Sequence, residues 1–165
     1  MIRIARLVCA LCVLIPAQGT TLRRASLDDL IYTSTSIVRA RVTGSFTVSK
    51  GPLSYTHYSI LVLDRWKGPA ADRVDVQVPV ADGAPQFSAG AEYVFFLWTG
   101  PSGANHVLGL SQGALDVTTD AAGNMSVVRQ PSEAAGAASQ DPMQMKLSEF
   151  AGRVTGALKG RSTAK

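Results

Sequence analysis

The chain has 165 residues, with 46% hydrophobic and 17% charged side chains and a formal net charge of +4. Two of those positive charges, Arg3 and Arg6, sit at the extreme N-terminus, so the rest of the chain carries about +2, too mild a balance to imply a nucleic-acid partner. The length allows one self-sufficient domain, which at this size buries about 68–70% of its unfolded surface.

The first nineteen residues read as a cleaved secretory signal. Arg3 and Arg6 form a basic start, Leu7 to Ile15 is an unbroken apolar run, and Pro16 ends it. Ala17-Gln18-Gly19 then offers small residues where a signal peptidase cuts, so the exported chain is expected to begin at Thr20. The apolar run falls short of the about 20 residues that span a membrane. No later stretch is apolar enough to span either. Both cysteines, Cys9 and Cys12, lie inside the leader, preceded by Val8 and Leu11 rather than by the small residue of a lipid-attachment site. The exported chain therefore has no disulfide to compensate for a thin core.

Beyond the leader, Arg23-Arg24 precedes a helix start at Ser26-Leu27-Asp28-Asp29. There a serine can cap the free amides, and two aspartates suit the positive end of the helix dipole. Leu27, Leu30 and Ile31 share a face. The helix should end by Thr33, where a Thr-Ser run competes for backbone hydrogen bonds. From Ile37 the period becomes two. Val38, Ala40, Val42, Phe46 and Val48 are expected on one face, opposite Arg39 and Arg41, with Gly44 marking a bulge or bend. After the Lys50-Gly51-Pro52 turn, a second strand runs from about Tyr55 to Trp66, with Tyr58, Ile60, Val62 and Trp66 facing inward. Leu61 and Leu63 on its other face suggest an outer cover such as a helix. Lys67-Gly68-Pro69 ends it.

Val74, Val76, Val78 and Val80 then alternate with polar residues, and Pro79 belongs at a strand end or edge. A loop over 81–90 leads to Glu92–Trp98, apolar on both faces as a central strand is. Short strands are expected near His106–Leu110, Ala114–Thr118 and Met125–Arg129, the last two joined by a turn over 120–124. The stretch 131–145, rich in Ala, Ser, Gly and Gln, reads as a linker. A helix over 146–160 carries Leu147, Phe150, Val154 and Leu158 as an apolar stripe, and 161–165 forms a basic tail. The whole predicts a mainly β domain over 20–130. Its form is expected to be a small closed or partly open antiparallel β-barrel, with a short N-terminal helix and a C-terminal helix.

Ile37-Val38-Arg39-Ala40-Arg41-Val42, then Tyr58-Ser59-Ile60-Leu61-Val62, Trp66-Lys67-Gly68 and Gly90-Ala91-Glu92-Tyr93-Val94-Phe95-Phe96-Leu97 form a strand pattern over residues 37–118. It resembles the netrin-like OB-fold module, whose members include the tissue inhibitors of metalloproteinases. The resemblance implies an OB-like fold. Those inhibitors engage a protease metal through an N-terminal cysteine and brace themselves with disulfides. No cysteine follows Cys12 here, so no functional residue is carried over.

Gly109-Leu110-Ser111-Gln112-Gly113 matches the G-x-S-x-G nucleophile elbow, in which a serine sits on a strand-to-helix turn. The residues that follow read as strand, and both histidines precede Ser111, the reverse of the hydrolase order. The two glycines are therefore read as turn or bulge positions. His57 and His106 lack metal-ligand spacing with Asp82 or Glu92. Asn124-Met125-Ser126 is a glycosylation sequon on a turn. Arg39, Arg41, Arg65 and Lys67 are candidates for a basic outer face that contacts an acidic partner. The loops at 49–55, 81–90 and 99–105 are candidate contact tips, with Tyr55, Phe87 and His106, in or beside them, as the binding anchors. The sequence thus favours a secreted or periplasmic, non-enzymatic module with no cofactor that binds an extracellular or periplasmic protein. A small serine hydrolase using Ser111, or a structural envelope-associated domain, are the alternatives.

Overall fold

A computed structural model describes residues 25–81, 83–129 and 143–162; the expected leader and most of the expected linker lie outside them. A helix α1 (Leu27–Thr33) comes first among the described residues. Ser26 caps it: the Asp29 amide donates to the Ser26 hydroxyl at 3.0 Å, and the Ser26 amide donates back to the Asp29 carboxylate at 3.1 Å. Eight strands follow: β1 (Ser36–Lys50), β2 (Leu53–Lys67), β3 (Arg73–Pro79), β4 (Glu92–Thr99), β5 (Asn105–Val107), β6 (Ala114–Thr119), β7 (Met125–Val128) and β8 (Gln144–Lys146). The final helix α2 spans Leu147–Ser162. β8, which pairs with β7, occupies the end of the stretch read from sequence as linker.

Five strands close a ring in the order β1-β2-β3-β5-β4, sealed by pairing of β4 with β1. It is not wholly antiparallel as expected: β3 and β5 run parallel, at Val76–Asn105 and Gln77–His106. The chain crosses through β4 between them, so β5 enters beside β3 in the same direction. β6, β7 and β8 extend the sheet outward from β4.

The ring encloses one core: Val38, Ala40, Val42, Tyr58, Ile60, Val76, Val78, Phe95 and Leu97, with Phe87, Tyr93 and Val107 at its margins. Among the described residues its outside is covered over β4 and over the adjoining ends of β1 and β2. There α1, α2, β6 and β7 bury Leu30, Ile31, Ile37, Val94, Phe96, Leu115, Val127, Phe150 and Val154 in a second core. The two-faced apolar pattern of β4 follows from this position between two cores.

Four inward assignments made from the period of two, Phe46, Val48, Trp66 and Val80, are corrected. Beyond Val42 the pairing register slips: Val42 faces Ile60, but Gly44 faces Ser59, so Thr43 and Gly44 together oppose one residue. The extra residue turns Phe46 and Val48 to the outside, 54% and 43% exposed, while Ser45 takes the place opposite buried Tyr58. Further slips near Ile37 and Arg39 turn Trp66 away from the ring core and onto Phe150, edge to face at 5.3 Å. This is where the helix covers β2; Leu61 and Leu63 stay half-buried and join neither core. Of the four valines, Val76 and Val78 are buried and Val74 packs beside them, whereas Val80 lies past the end of β3 and is exposed. Pro79 ends that strand, as its missing amide requires.

Candidate functional site

The uncovered outside of the ring, over β2, β3 and β5, holds a groove of about 730 Å³. Tyr55, His57, Asp75, Gln77 and His106 form its floor. Two connections rise on either side: the tip of the β1–β2 hairpin with Val48, Lys50 and Leu53, and the β4–β5 turn at Ser102–Asn105.

Strand register explains how these side chains meet. Phe46 lies opposite His57, His57 opposite Gln77, Gln77 beside His106, and His106 opposite Trp98. One row of outward side chains therefore crosses five strands. Phe46 stacks flat on the His57 ring at 4.9 Å, and Trp98 lies 6.0 Å from the His106 ring. His57 is held from the other side: its Nδ1 lies 2.8 Å from Oδ1 of Asp75. The Asn105 amide donates to the Asp75 backbone carbonyl at 3.1 Å, and the Thr99 hydroxyl donates to Asn105 Oδ1 at 2.9 Å, which fixes the β4–β5 turn against β3. The result is a set of immobilised rings and amides beside exposed Leu53 and Val48, a surface suited to apolar contact with a few directional hydrogen bonds.

Of the anchors read from sequence, Tyr55 and His106 come together in this groove, and His57 joins them. Phe87 does not. It is buried, with its ring edge-on to Tyr58, Tyr93 and Phe95 at 5.0–5.1 Å, so the 81–90 loop plugs one end of the ring core. The Ser88 amide donates to the Tyr93 hydroxyl at 3.2 Å and keeps that loop folded inward.

The four basic residues do not form one free cationic face. Arg39 is ion-paired to Asp64 at 2.6 Å and to Glu92 at 3.3 Å, and Arg41 meets the same Glu92 at 2.6 Å. Arg65 donates to the Ala71 carbonyl. Lys67 donates to the Ile31 and Tyr32 carbonyls, where a cation suits the negative end of α1. Their charges are spent on carboxylates and backbone.

Ser111 lies in a single 3-10 turn, Leu110–Gly113, that leads into β6 rather than into a helix. Gly109 and Leu110 are both left-handed, at φ 61° and 59°. A side chain at Gly113 would run into the Leu108 carbonyl, so the second glycine of the motif is there for a close backbone approach. Among the described residues no hydrogen bond joins Ser111 to a histidine, and no three His, Cys, Asp or Glu side chains converge as a metal site. Asp82 lies outside the described residues. No helix among them is long and apolar enough to cross a membrane.

Phe46, Val48, Asp75, Gln77 and Trp98 are the site residues that sequence reasoning missed. The signal for the first two was present in Gly44, since a bulge there reverses the facing of every later residue in the strand. No family model matches the sequence, and no curated protein does.

Proposed function

We propose that the chain is an exported, non-enzymatic binding module, secreted or periplasmic, whose five-stranded ring is a small OB-like barrel of the netrin-like kind. Its ligand is a protein, held in the groove over β2, β3 and β5. The observation that carries this is the row Phe46–His57–Gln77–His106–Trp98, outward-facing on five consecutive strands and stiffened by stacking and by Asp75. OB-type barrels take their ligands on the strand 2–3 face and on the loops joining strands 1–2 and 4–5, and this groove has those boundaries. A protein suits the lining better than a nucleic acid does: Lys50 is its one lysine, Asp75 contributes a carboxylate, and the exposed aliphatic side chains Val48 and Leu53 stand at the hairpin side.

The test is comparative capture from the secreted or periplasmic fraction of the native host. A protein retained by the wild type should be lost with the double substitution Tyr55→Ala/His106→Ala and kept with Arg73→Ala, which lies outside the groove lining. Equal recovery by both variants would remove the groove from the reading. Labelling of wild type by an activity-based serine probe, abolished by Ser111→Ala, would establish the hydrolase reading instead.

A further inference from the structure

We propose that the chain forms a two-fold symmetric dimer by edge-to-edge pairing of β1 with β1 of a second copy, over Ser45–Ser49. This inference is independent of what the groove binds.

β1 is shared between two neighbours only along its first half. Its pairing with β4 runs from Ser36 to Arg41 and finishes with two hydrogen bonds, from the Val42 amide to Ala91 and from the Gly90 amide to the Val42 carbonyl. The Thr43–Gly44 bulge then carries the strand away from β4, and from there to Lys50 it pairs only with β2 among the described residues. The direction of the remaining backbone groups follows from the register. The Ser54 carbonyl accepts from Val80, on the side of β2 away from β1. Ser49–Ser54 is therefore a pair that exchanges no backbone bonds, and by alternation Thr47–Thr56 is another. The close hydroxyl contacts within both pairs, 2.9 Å and 3.4 Å, fit the shorter spacing of such pairs. The amides and carbonyls of Ser45, Thr47 and Ser49 thus point out of the sheet edge.

An edge of this kind is completed by another strand. Charges normally guard against that, yet Val42 to Ser49 contains none. A second copy of the same edge fits it in antiparallel register about Thr47. Thr47 meets its symmetry mate, and Ser45 meets Ser49 at both ends, so each outward amide finds a carbonyl. Phe46 and Val48, the exposed apolar side chains of this segment, fall opposite Val48 and Phe46 of the second copy on one face. The flanking cations separate: each Lys50 lies opposite a Gly44, so no like charges are brought together.

Sedimentation of the purified protein over about a hundredfold range of concentration should show reversible dimerisation. Amide exchange resolved by residue should show Ser45, Thr47 and Ser49 protected only at high concentration, while Phe46 and Val48, already bonded to β2, are protected throughout. Thr47→Pro removes an outward amide that β2 does not use, and should raise the dimer dissociation constant by about tenfold or more. Thr47→Val keeps that amide and should retain the dimer. Should Thr47→Pro lower the melting temperature of the monomer, Thr47→Lys, outside the groove lining, supplies the disrupting change instead by setting two like charges opposite each other at the dyad. Partner capture through the groove should survive Thr47→Pro, which separates failure of the dimer from failure of the binding reading. A monomer at every concentration, or a dimer indifferent to these changes with the three amides unprotected, would overturn the proposal.

Discussion

At the scale of single residues, one bulge decides what the protein shows to its surroundings. Thr43 and Gly44 share it, and the slip in register sends Phe46 and Val48 outward. Phe87 has the opposite fate, an aromatic on a loop that turns inward to close a core. Phe87→Ala should therefore cost about 3–5 kcal/mol, as other buried phenylalanines do, measured by chemical denaturation, with little direct effect on groove binding. Gly113→Ala should cost about 1–3 kcal/mol, because the Leu108 backbone must move to admit a methyl group. Asp120 should make the β6–β7 turn sensitive to acid. Hydrogen bonds from the Asn124 side chain, then from the Asn124, Ala122 and Gly123 amides, hold its carboxyl below the usual carboxylate range. A folded value below the unfolded one means the contribution is present above the ordinary carboxylate pKa and is lost as pH falls through the folded value. The stability gap between wild type and Asp120→Ala should thus be open at neutral pH and should close in acid.

At the scale of elements, α2 is a helix made by its docking. Gly152, Gly156 and Gly160 recur on it at a spacing of four, and each interior glycine weakens a helix by about 0.5–1 kcal/mol relative to alanine. Phe150 and Val154, both fully buried, hold it against Trp66, Phe96 and α1. Two outcomes follow from that balance. Gly152→Ala and Gly156→Ala, with open space around each position, should each raise stability by about 0.4–1 kcal/mol in a thermal melt. Truncation before Met143, which removes β8 and α2, should lower the melting temperature or prevent folding, because it bares the second core from Ile37 to Val127. The ring should not survive that loss unchanged, since β4 contributes alternate residues to both cores.

At the scale of the whole molecule, the outside of the ring is divided. One side is roofed by helices and by the β6–β8 extension; among the described residues the other is uncovered, and carries the groove and the outer half of β1. Each cation proposed for a partner is engaged within the chain, Arg39 and Arg41 by the carboxylates of Asp64 and Glu92, and Arg65 and Lys67 by backbone carbonyls. If the groove is the binding surface, association with its partner should depend weakly on salt, and a binding measurement between low and high ionic strength would show it. For the proposed leader, N-terminal sequencing of the mature protein should return Thr20 or a near neighbour, and an intact Met1 would reject cleavage.

Several features were legible in sequence because they depend on near neighbours alone. The Ser26 cap, the alternation of β3 up to Pro79, the two-sided apolarity of β4 and the stripe on α2 each reflect local periodicity or a local hydrogen bond. Facing beyond a bulge is different, because it depends on which residue of the partner strand is left opposite. Only the paired register could turn Phe46 outward and Trp66 toward α2. The site was hidden for the same reason: Phe46, His57, Gln77, His106 and Trp98 are scattered along the chain and become neighbours only when β3 and β5 lie side by side in parallel and the ring closes. Sequence determined the elements other than β8, and their apolar faces up to each bulge; closure of the ring decided which polar and aromatic residues share a surface, since that closure is a sum of long-range pairings that no local pattern encodes.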